Sequence, residues 1–288
     1  MPALDRSATA NILRRARQVL VLGHIRPDGD CIGSMIALGL GLQHLGVSVT
    51  VWSTEQLSPR YRFLPPIITP PTHNDFRRFD LIVIVDTPVL TRAAIDPAAF
   101  SAGVPTLLID HHPPVDTGAT YTCINAAESA AACIIYDLLV ELDVPITKPI
   151  AAALYAGLLT DTGCFTYQNV NARTFEIAMA LLASGVDTAA IATVIYNSMP
   201  ATQLLLLREA LSTLEFVEDG RGAFMWLSKD ALARHGATSV DVEDFVNYPR
   251  SLASVQIAAT LTEMPEDGFT RLSLRSKTAD VNVNALAR

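Results

Sequence analysis

Within the first 110 residues, apolar side chains fall into four short runs, each continuous rather than alternating with polar residues. The runs cover residues 19–22, 47–52, 81–86 and 106–110. Continuous runs rich in Val, Ile and Leu are typical of parallel strands that are covered on both faces. Ala- and Leu-rich segments with helical spacing lie at 32–45, 129–142 and 149–159. This alternation predicts an α/β fold with a doubly wound parallel sheet.

The pattern changes in the second half of the chain. Between residues 172 and 211 the apolar spacing is helical only, and Asn171 is the predicted N-cap. After about residue 214 two β-hairpins are predicted, with turns at 219–220 and 266–268. We therefore predict a first domain over 1–190, a helical linker over 191–213 and a smaller α+β domain over 214–288.

Composition and charge narrow the class of protein. Half of the 288 residues are apolar, which supports a large core, and the formal net charge is -8. Wrapping of long duplex nucleic acid needs a broad basic surface, so the charge argues against that mode and leaves small anionic ligands open. The four cysteines lack metal-site or disulfide spacing and are predicted to be reduced, packed thiols. The absence of a signal-type or membrane-spanning run predicts a cytoplasmic protein without membrane contact.

Acidic and imidazole side chains follow three of the four predicted strands. They are His24, Asp28 and Asp30 after the first run, Asp86 at the end of the third, Asp110, His111 and His112 at the end of the fourth, and Asp161 where the helix from about residue 149 ends. Taken alone, Asp86 would be interpreted as a turn residue or a helix N-cap. Together, however, these carboxylates meet at one edge of the sheet, where they repel one another unless cations neutralise them. Mixed imidazole and carboxylate donors favour Mn²⁺, Fe²⁺, Co²⁺ or Zn²⁺, and their number favours two ions about 3.5 to 4 Å apart.

The motifs that carry these residues resemble those of a known family. "HIRPDGD", "VDTP", "IDHHP" and "LLTDTGCFTYQN" follow the order of the four motifs of the DHH phosphoesterases, across residues 20–186. The later segment "RLSLRSK" resembles the start of the substrate-binding DHHA1 domain. The length of the chain favours the short two-domain branch of oligoribonuclease (nano-RNase) and 3′-phosphoadenosine 5′-phosphate (pAp) phosphatase enzymes. The RecJ exonucleases are much longer.

The resemblance implies a role for each of these residues. One ion would be held by His24, Asp28 and Asp86, and the other by Asp30, Asp86, His111 and Asp161, so that Asp86 bridges the two. His112 would lie beside the scissile phosphate as a catalytic residue, and Asp110 would orient its histidine neighbours. Arg275 and Ser276 are the expected substrate contacts. The implied cofactors are two divalent ions, with Mn²⁺ as the first candidate and Mg²⁺, Co²⁺ or Fe²⁺ as alternatives, and the implied assembly is a homodimer.

The implied activity is hydrolysis of short oligonucleotides (nanoRNA) and pAp-like nucleotides by a hydroxide that two metal ions activate. Two alternatives stay open. One is a phosphodiesterase for cyclic or linear dinucleotides, and the other is a non-catalytic nucleotide-binding regulator. The second alternative depends on a departure from the family pattern, because the sequence ends in "ADVNVNALAR" where a glycine-rich "GGGH" loop is expected. The DHHA1-like domain is therefore expected to be truncated.

Overall fold

A computed structural model describes residues 3–55, 57–72, 75–93, 95, 100, 103–238, 241–242, 244–264, 268–277, 281 and 283. The chain divides into two compact units between Asn197 and Ser198. The first unit contains a parallel sheet, and the second contains a smaller mixed sheet.

The first unit is built on a six-stranded parallel sheet. Its strands are β1 (Gln18–Leu22), β2 (Ser48–Trp52), β3 (Ile68–Thr69), β4 (Leu81–Val85), β5 (Thr106–Asp110) and β6 (Tyr121–Ile124). They lie in the order β3-β2-β1-β4-β5-β6, and every neighbouring pair is parallel. The strand order reverses between β1 and β4, which is where open α/β sheets bind their ligands. The predicted doubly wound parallel sheet is confirmed.

Helices pack against one face of the sheet of the first unit, in the larger of its two hydrophobic cores. They are α1 (Arg6–Arg15), α2 (Gly29–His44), α3 (Ala131–Glu141), α4 (Lys148–Asp161), α5 (Ala172–Ala183) and α6 (Thr188–Tyr196). Asn171 caps α5 as predicted, with its side chain and that of Thr174 forming a capping box. Within the described residues no single helix is both long and apolar enough to cross a membrane, whereas α5 and α6, bent by 114°, meet the length and composition criteria as a pair.

Glycines allow α2 and α4 to approach each other closely. A Cβ added to Gly33 of α2 would lie 2.2 Å from the carbonyl oxygen of Ala153 on α4. A Cβ added to Gly157 of α4 would lie 2.8 Å from Oδ1 of Asp30 on α2. Both distances are too short for a real Cβ atom unless the neighbouring atom moves. The crossing therefore brings the acidic first turn of α2 against the helix that ends at Asp161.

The second unit contains the smaller sheet. Its elements are α7 (Ala201–Ser212), β7 (Glu215–Val217), β8 (Gly222–Leu227), α8 (Lys229–His235), α9 (Asn247–Arg250), β9 (Ile257–Glu263) and β10 (Thr270–Ser276). The strands lie in the order β10-β9-β8-β7, with β8 parallel to β9 and the outer pairs antiparallel. Both predicted hairpins are present, although residues 265–267 of the second turn lie outside the described residues. The expected second, smaller α+β domain is confirmed.

The segment over 191–213, expected as a linker, is divided between the two units. Ile191 and Ile195 of α6 are buried in the core of the first unit. Leu206 and Leu207 of α7 are buried in the second unit, in a cluster that includes Phe245. The difference arises because each helix has an apolar face that must be buried, and periodicity alone does not say against which sheet.

We expect Gly33→Ala to lower the free energy of unfolding by roughly 1–3 kcal/mol, the usual cost of overpacking a core. The added methyl group meets the backbone of Ala153, which cannot rotate away. Gly41→Ala on the same helix is the matched control, because its methyl group would meet the end of the Leu139 side chain at 2.2 Å, and a side chain can change rotamer. Urea-induced unfolding measures both variants. A loss for Gly33→Ala no larger than that for Gly41→Ala would contradict this account.

Candidate metal centre

Eight of the predicted site residues gather at the carboxyl edge of the parallel sheet, around the point where the strand order reverses. His24 follows β1, Asp86 follows β4, and Asp110 ends β5 with the two histidines directly after it. Asp28 caps the N-terminus of α2, Asp30 lies in its first turn, and Asp161 is the last residue of α4. The close crossing of α2 and α4 thus supplies the acids that the strands do not.

Asp86 lies at the centre of the cluster, between two histidines. Its Oδ2 is 3.6 Å from Nε2 of His24, and its Oδ1 is 3.6 Å from Nε2 of His111. These separations exceed those of hydrogen bonds and are close to the roughly 3.0–3.5 Å between two neighbouring ligands of one ion that each lie about 2.1 Å from it. Asp86 is buried, and its φ of 57° is uncommon for a residue with a side chain. Such backbone conformations are concentrated at functional sites.

On one side of Asp86, His24 faces a second carboxylate. Its Nδ1 is 2.7 Å from the carbonyl oxygen of Ile25, which leaves Nε2 to face Oδ1 of Asp28 at 3.9 Å. Sequence reasoning missed a further member of this side, Cys31. Donor atoms of His24, Cys31 and Asp86 all lie within 4.8 Å of one another. The one available signal was its position directly after Asp30. Its burial as a free thiol was predicted correctly, whereas Cys164, also predicted to be packed, is exposed.

On the other side of Asp86, His111 faces two acids. Its Nε2 is 3.9 Å from Oδ2 of Asp30 and 3.5 Å from Oδ2 of Asp161. Asp30 is completely buried, and its carboxylate accepts backbone hydrogen bonds from Ala131 at 2.6 Å and Ala132 at 2.9 Å. Because the N-terminus of α3 carries partial positive charge, it stabilises this buried carboxylate in a fixed position.

His112 is the most exposed of the three clustered histidines, with 43% of its side chain accessible. Its Nδ1 is 2.8 Å from Oδ1 of the fully buried Asp110. The other oxygen, Oδ2 of Asp110, has no hydrogen-bond partner within the described parts of the chain. Asp110 thus fixes the ring of His112 through Nδ1 and leaves Nε2 available to a ligand.

The electrostatics of the cluster show a shortage of positive charge. Burial raises the pKa of Asp161 to about 7 and raises the pKa of Asp30 well above its usual value. Burial alone would lower the pKa values of the histidines, but the neighbouring acids, Asp86 first among them, raise that of His24 to about 12 and that of His111 to about 10. Five carboxylates therefore compete for the charge of three histidines. Divalent ions resolve this repulsion, so the donor set fits a metal centre.

The two predicted substrate contacts lie in the second unit. Arg275 and Ser276 are the last two residues of β10, and the guanidinium of Arg275 is exposed and donates to the carbonyl oxygen of Leu274 at 3.2 Å. Neither residue belongs to the cluster of the first unit. Their role stays a prediction.

Comparison with known proteins bears on the class of enzyme. Residues 18–158 match the family described as "DHH family, N-terminal domain". A Thermus thermophilus protein named bifunctional oligoribonuclease and PAP phosphatase NrnA is 30% identical over 90% of this chain and 76% of its own length. A Streptococcus mutans protein named probable bifunctional oligoribonuclease and PAP phosphatase NrnA is 29% identical over 92% of this chain and 83% of its own length.

A solved structure extends this likeness to three dimensions. The crystal structure of an exopolyphosphatase-related protein from Bacteroides fragilis matches with a TM-score of 0.87 and 27% identity, over 98% of this chain and 86% of that one. Fold and sequence together define a phosphoester hydrolase. The chain belongs to the DHH family.

We expect Mn²⁺ to stabilise the metal-free protein and Asp86→Asn to abolish this effect, because Asp86 is shared by both sides of the cluster. At a concentration 100 times the dissociation constant, binding contributes about 2.7 kcal/mol, which raises the Tm of a unit of this size by roughly 5–10 °C. Thermal unfolding with and without Mn²⁺ measures the effect. Asp80→Asn is a control, since Asp80 lies at the opposite end of β4 and accepts backbone hydrogen bonds from Arg17 and Gln18. An equal rise of Tm in Asp86→Asn and the wild type would contradict the assignment.

Proposed function

We propose that this protein is a divalent-metal-dependent phosphoesterase that hydrolyses short oligoribonucleotides and pAp. The observation that carries the proposal is the position of Asp86 between His24 and His111, with further carboxylates on both sides. The substrate class is supported by the names of the Thermus thermophilus and Streptococcus mutans relatives. A non-catalytic regulator has little need for such a cluster, because buried carboxylates that repel one another cost stability.

The geometry supports two ion positions that share Asp86. His24, Asp28 and Asp86 would hold one ion, and Asp30, Asp86, His111 and Asp161 would hold the other. Mn²⁺ is the proposed ion, with Mg²⁺, Co²⁺ or Fe²⁺ as alternatives. Divalent ions at such a centre polarise phosphoryl oxygens and lower the pKa of water.

His112 is the proposed catalytic residue for the leaving oxygen. Its ring is held through Nδ1 by Asp110, and that hydrogen bond raises the pKa of His112 above its ordinary value. The hydrogen bond to Asp110 therefore favours the protonated form of the imidazole. With Nδ1 engaged, Nε2 is the nitrogen that can donate a hydrogen bond or a proton to the departing oxygen. Asp110 acts by orienting the ring and stabilising its charged form.

The net charge of -8 favours a short substrate, because few phosphates are contacted and no long basic groove is needed. Arg275 and Ser276 are proposed to contact the nucleotide, and the exposed guanidinium of Arg275 is suited to a phosphate. A homodimer is the proposed assembly.

The substrate proposal is tested by measuring product release from pAp, a linear diribonucleotide, a cyclic dinucleotide and a long single-stranded RNA, each with Mn²⁺. We expect turnover of pAp and the diribonucleotide and slow or no turnover of the long strand. Asp86→Asn is the control for contaminating nucleases, because it lacks the shared carboxylate. Turnover of the cyclic dinucleotide alone would overturn the proposal and favour a cyclic-dinucleotide phosphodiesterase.

We expect His112→Gln to lower kcat by about 10²- to 10⁴-fold, the usual range for loss of a general acid, with Mn²⁺ affinity retained. Asp110→Asn removes the charge that raises the pKa of His112. Because the proton donor is active below its pKa, the alkaline limb of the pH profile of kcat should move to lower pH in this variant. Steady-state kinetics over a pH series measures both effects. An unchanged alkaline limb in Asp110→Asn would show that Asp110 does not act through His112.

A further inference from the structure

The last carbonyl group of α4, at Asp161, accepts a hydrogen bond from a side chain outside the turn that follows the helix. The last carbonyl groups of a helix have no partner within the helix itself. In α4 the carbonyls of the three residues before Asp161 accept backbone N–H groups from the turn over 162–164. The carbonyl of Asp161 instead accepts the side-chain amide of Asn169, with Nδ2 at 3.0 Å. The residue that provides a proposed ligand is therefore tied to an asparagine eight positions further along.

The same amide group reaches a second element. Nδ2 of Asn169 also lies 2.8 Å from the carbonyl oxygen of Ser129. An amide nitrogen carries two hydrogens, so it can donate to both carbonyls at once. Asn169 thus joins the end of α4 to the segment over 127–132, which leads into α3. We call this segment the 127–132 turn.

The 127–132 turn also holds the other two donors on the His111 side of the centre. Its backbone N–H groups at Ala131 and Ala132 donate to the carboxylate of Asp30. Its carbonyl at Glu128 lies 3.4 Å from Nδ1 of His111. Asp30, His111 and Asp161 form one group of donor atoms within 4.8 Å of one another. Each member of that group is connected to the same short piece of backbone, and Asp161 is connected through Asn169.

We propose that Asn169 is a positioning residue for the ion position formed by Asp30, Asp86, His111 and Asp161. It sets the distance between the end of α4 and the 127–132 turn, and so the approach of the Asp161 carboxylate to Nε2 of His111. The His24 side does not depend on this connection, because Asp28 and His24 are held by α2 and by the carbonyl of Ile25. The inference rests on the proposed function, since it assumes that the cluster holds divalent ions.

The variant that tests the proposal is Asn169→Asp. A carboxylate has the size of the amide but no N–H group, so it faces two carbonyl oxygens as an acceptor and cannot join them. We expect one Mn²⁺ to bind as in the wild type and the other to bind about 10- to 100-fold more weakly, the usual loss when a group that orients a ligand is removed. Asn169→Ala removes the donor without adding charge and should weaken the same ion. Excess Mn²⁺ should restore kcat towards the wild-type value in both variants.

Asn171→Asp is the matched control. The side chain of Asn171 also donates to the 127–132 turn, at the carbonyl of Ala127 and 3.1 Å away, but it has no bond to a proposed ligand. An aspartate there loses this donor and gains a negative charge, yet it can still cap α5 by accepting the N–H of Thr174. We expect Asn171→Asp to bind both ions as the wild type does.

Titration of the metal-free protein with Mn²⁺, followed by calorimetry and by electron paramagnetic resonance, counts the ions and their affinities. Wild-type binding of two ions, with selective loss of one in both Asn169 variants, would support the proposal. Two ions bound with wild-type affinity in the Asn169 variants, or equal losses in Asn171→Asp, would overturn it and leave the proposed function intact. Failure of the wild type to bind Mn²⁺ would overturn the proposed function, and this inference with it.

Discussion

The first unit depends on keeping several carboxylates together at one edge of a buried sheet. Asp30, Asp86 and Asp110 are buried, and like charges at such short range oppose one another. The protein offsets part of this cost with its own groups. The N-terminus of α3 stabilises Asp30, two histidines face Asp86, and His112 faces Asp110. The remaining negative charge favours the binding of cations, as the proposed metal centre requires.

The rest of the fold can be understood as the means of holding these groups in place. Parallel strands with a reversal of order between β1 and β4 bring three strand ends to one point. Gly33 and Gly157 allow α2 and α4 to cross so closely that acids from a helix beginning and a helix end meet the strand residues. The hydrogen bonds of the 127–132 turn then hold individual proposed metal ligands in position. Sheet topology sets the place of the centre, and single hydrogen bonds set the positions of its atoms.

Much of this arrangement could be predicted from sequence. The four continuous apolar runs correspond to β1, β2, β4 and β5, and the acidic and imidazole residues at the ends of β1, β4 and β5 do meet. The edge strands β3 and β6 were missed, because an edge strand has a neighbour on one side only and needs no long apolar run. The segment over 191–213, predicted as a helical linker, is divided between the two units, because helical periodicity shows an apolar face but not the sheet that covers it.

Within the site, the sequence predicted the proposed metal-ligating side chains better than it predicted the residues that lie beside them. Eight acidic and imidazole residues are recognisable by type and by their place, seven after strands and one, Asp161, at the end of a helix. Cys31 and Asn169 were not recognised, because their contacts depend on the three-dimensional approach of α2 and of the 127–132 turn. A thiol beside His24 and an amide beside Asp161 have no signature in spacing. These two residues can be identified only from distances between atoms in the folded structure.

The proposed metal centre requires divalent ions that share Asp86 and so relieve the repulsion among these carboxylates. Anomalous X-ray diffraction from crystals grown with Mn²⁺ tests it most directly. We expect two manganese peaks, one contacting Asp86 and His24 and the other contacting Asp86 and His111. Crystals without a peak at Asp86, in which protonated His24 and His111 instead bond directly to its oxygens, would contradict it.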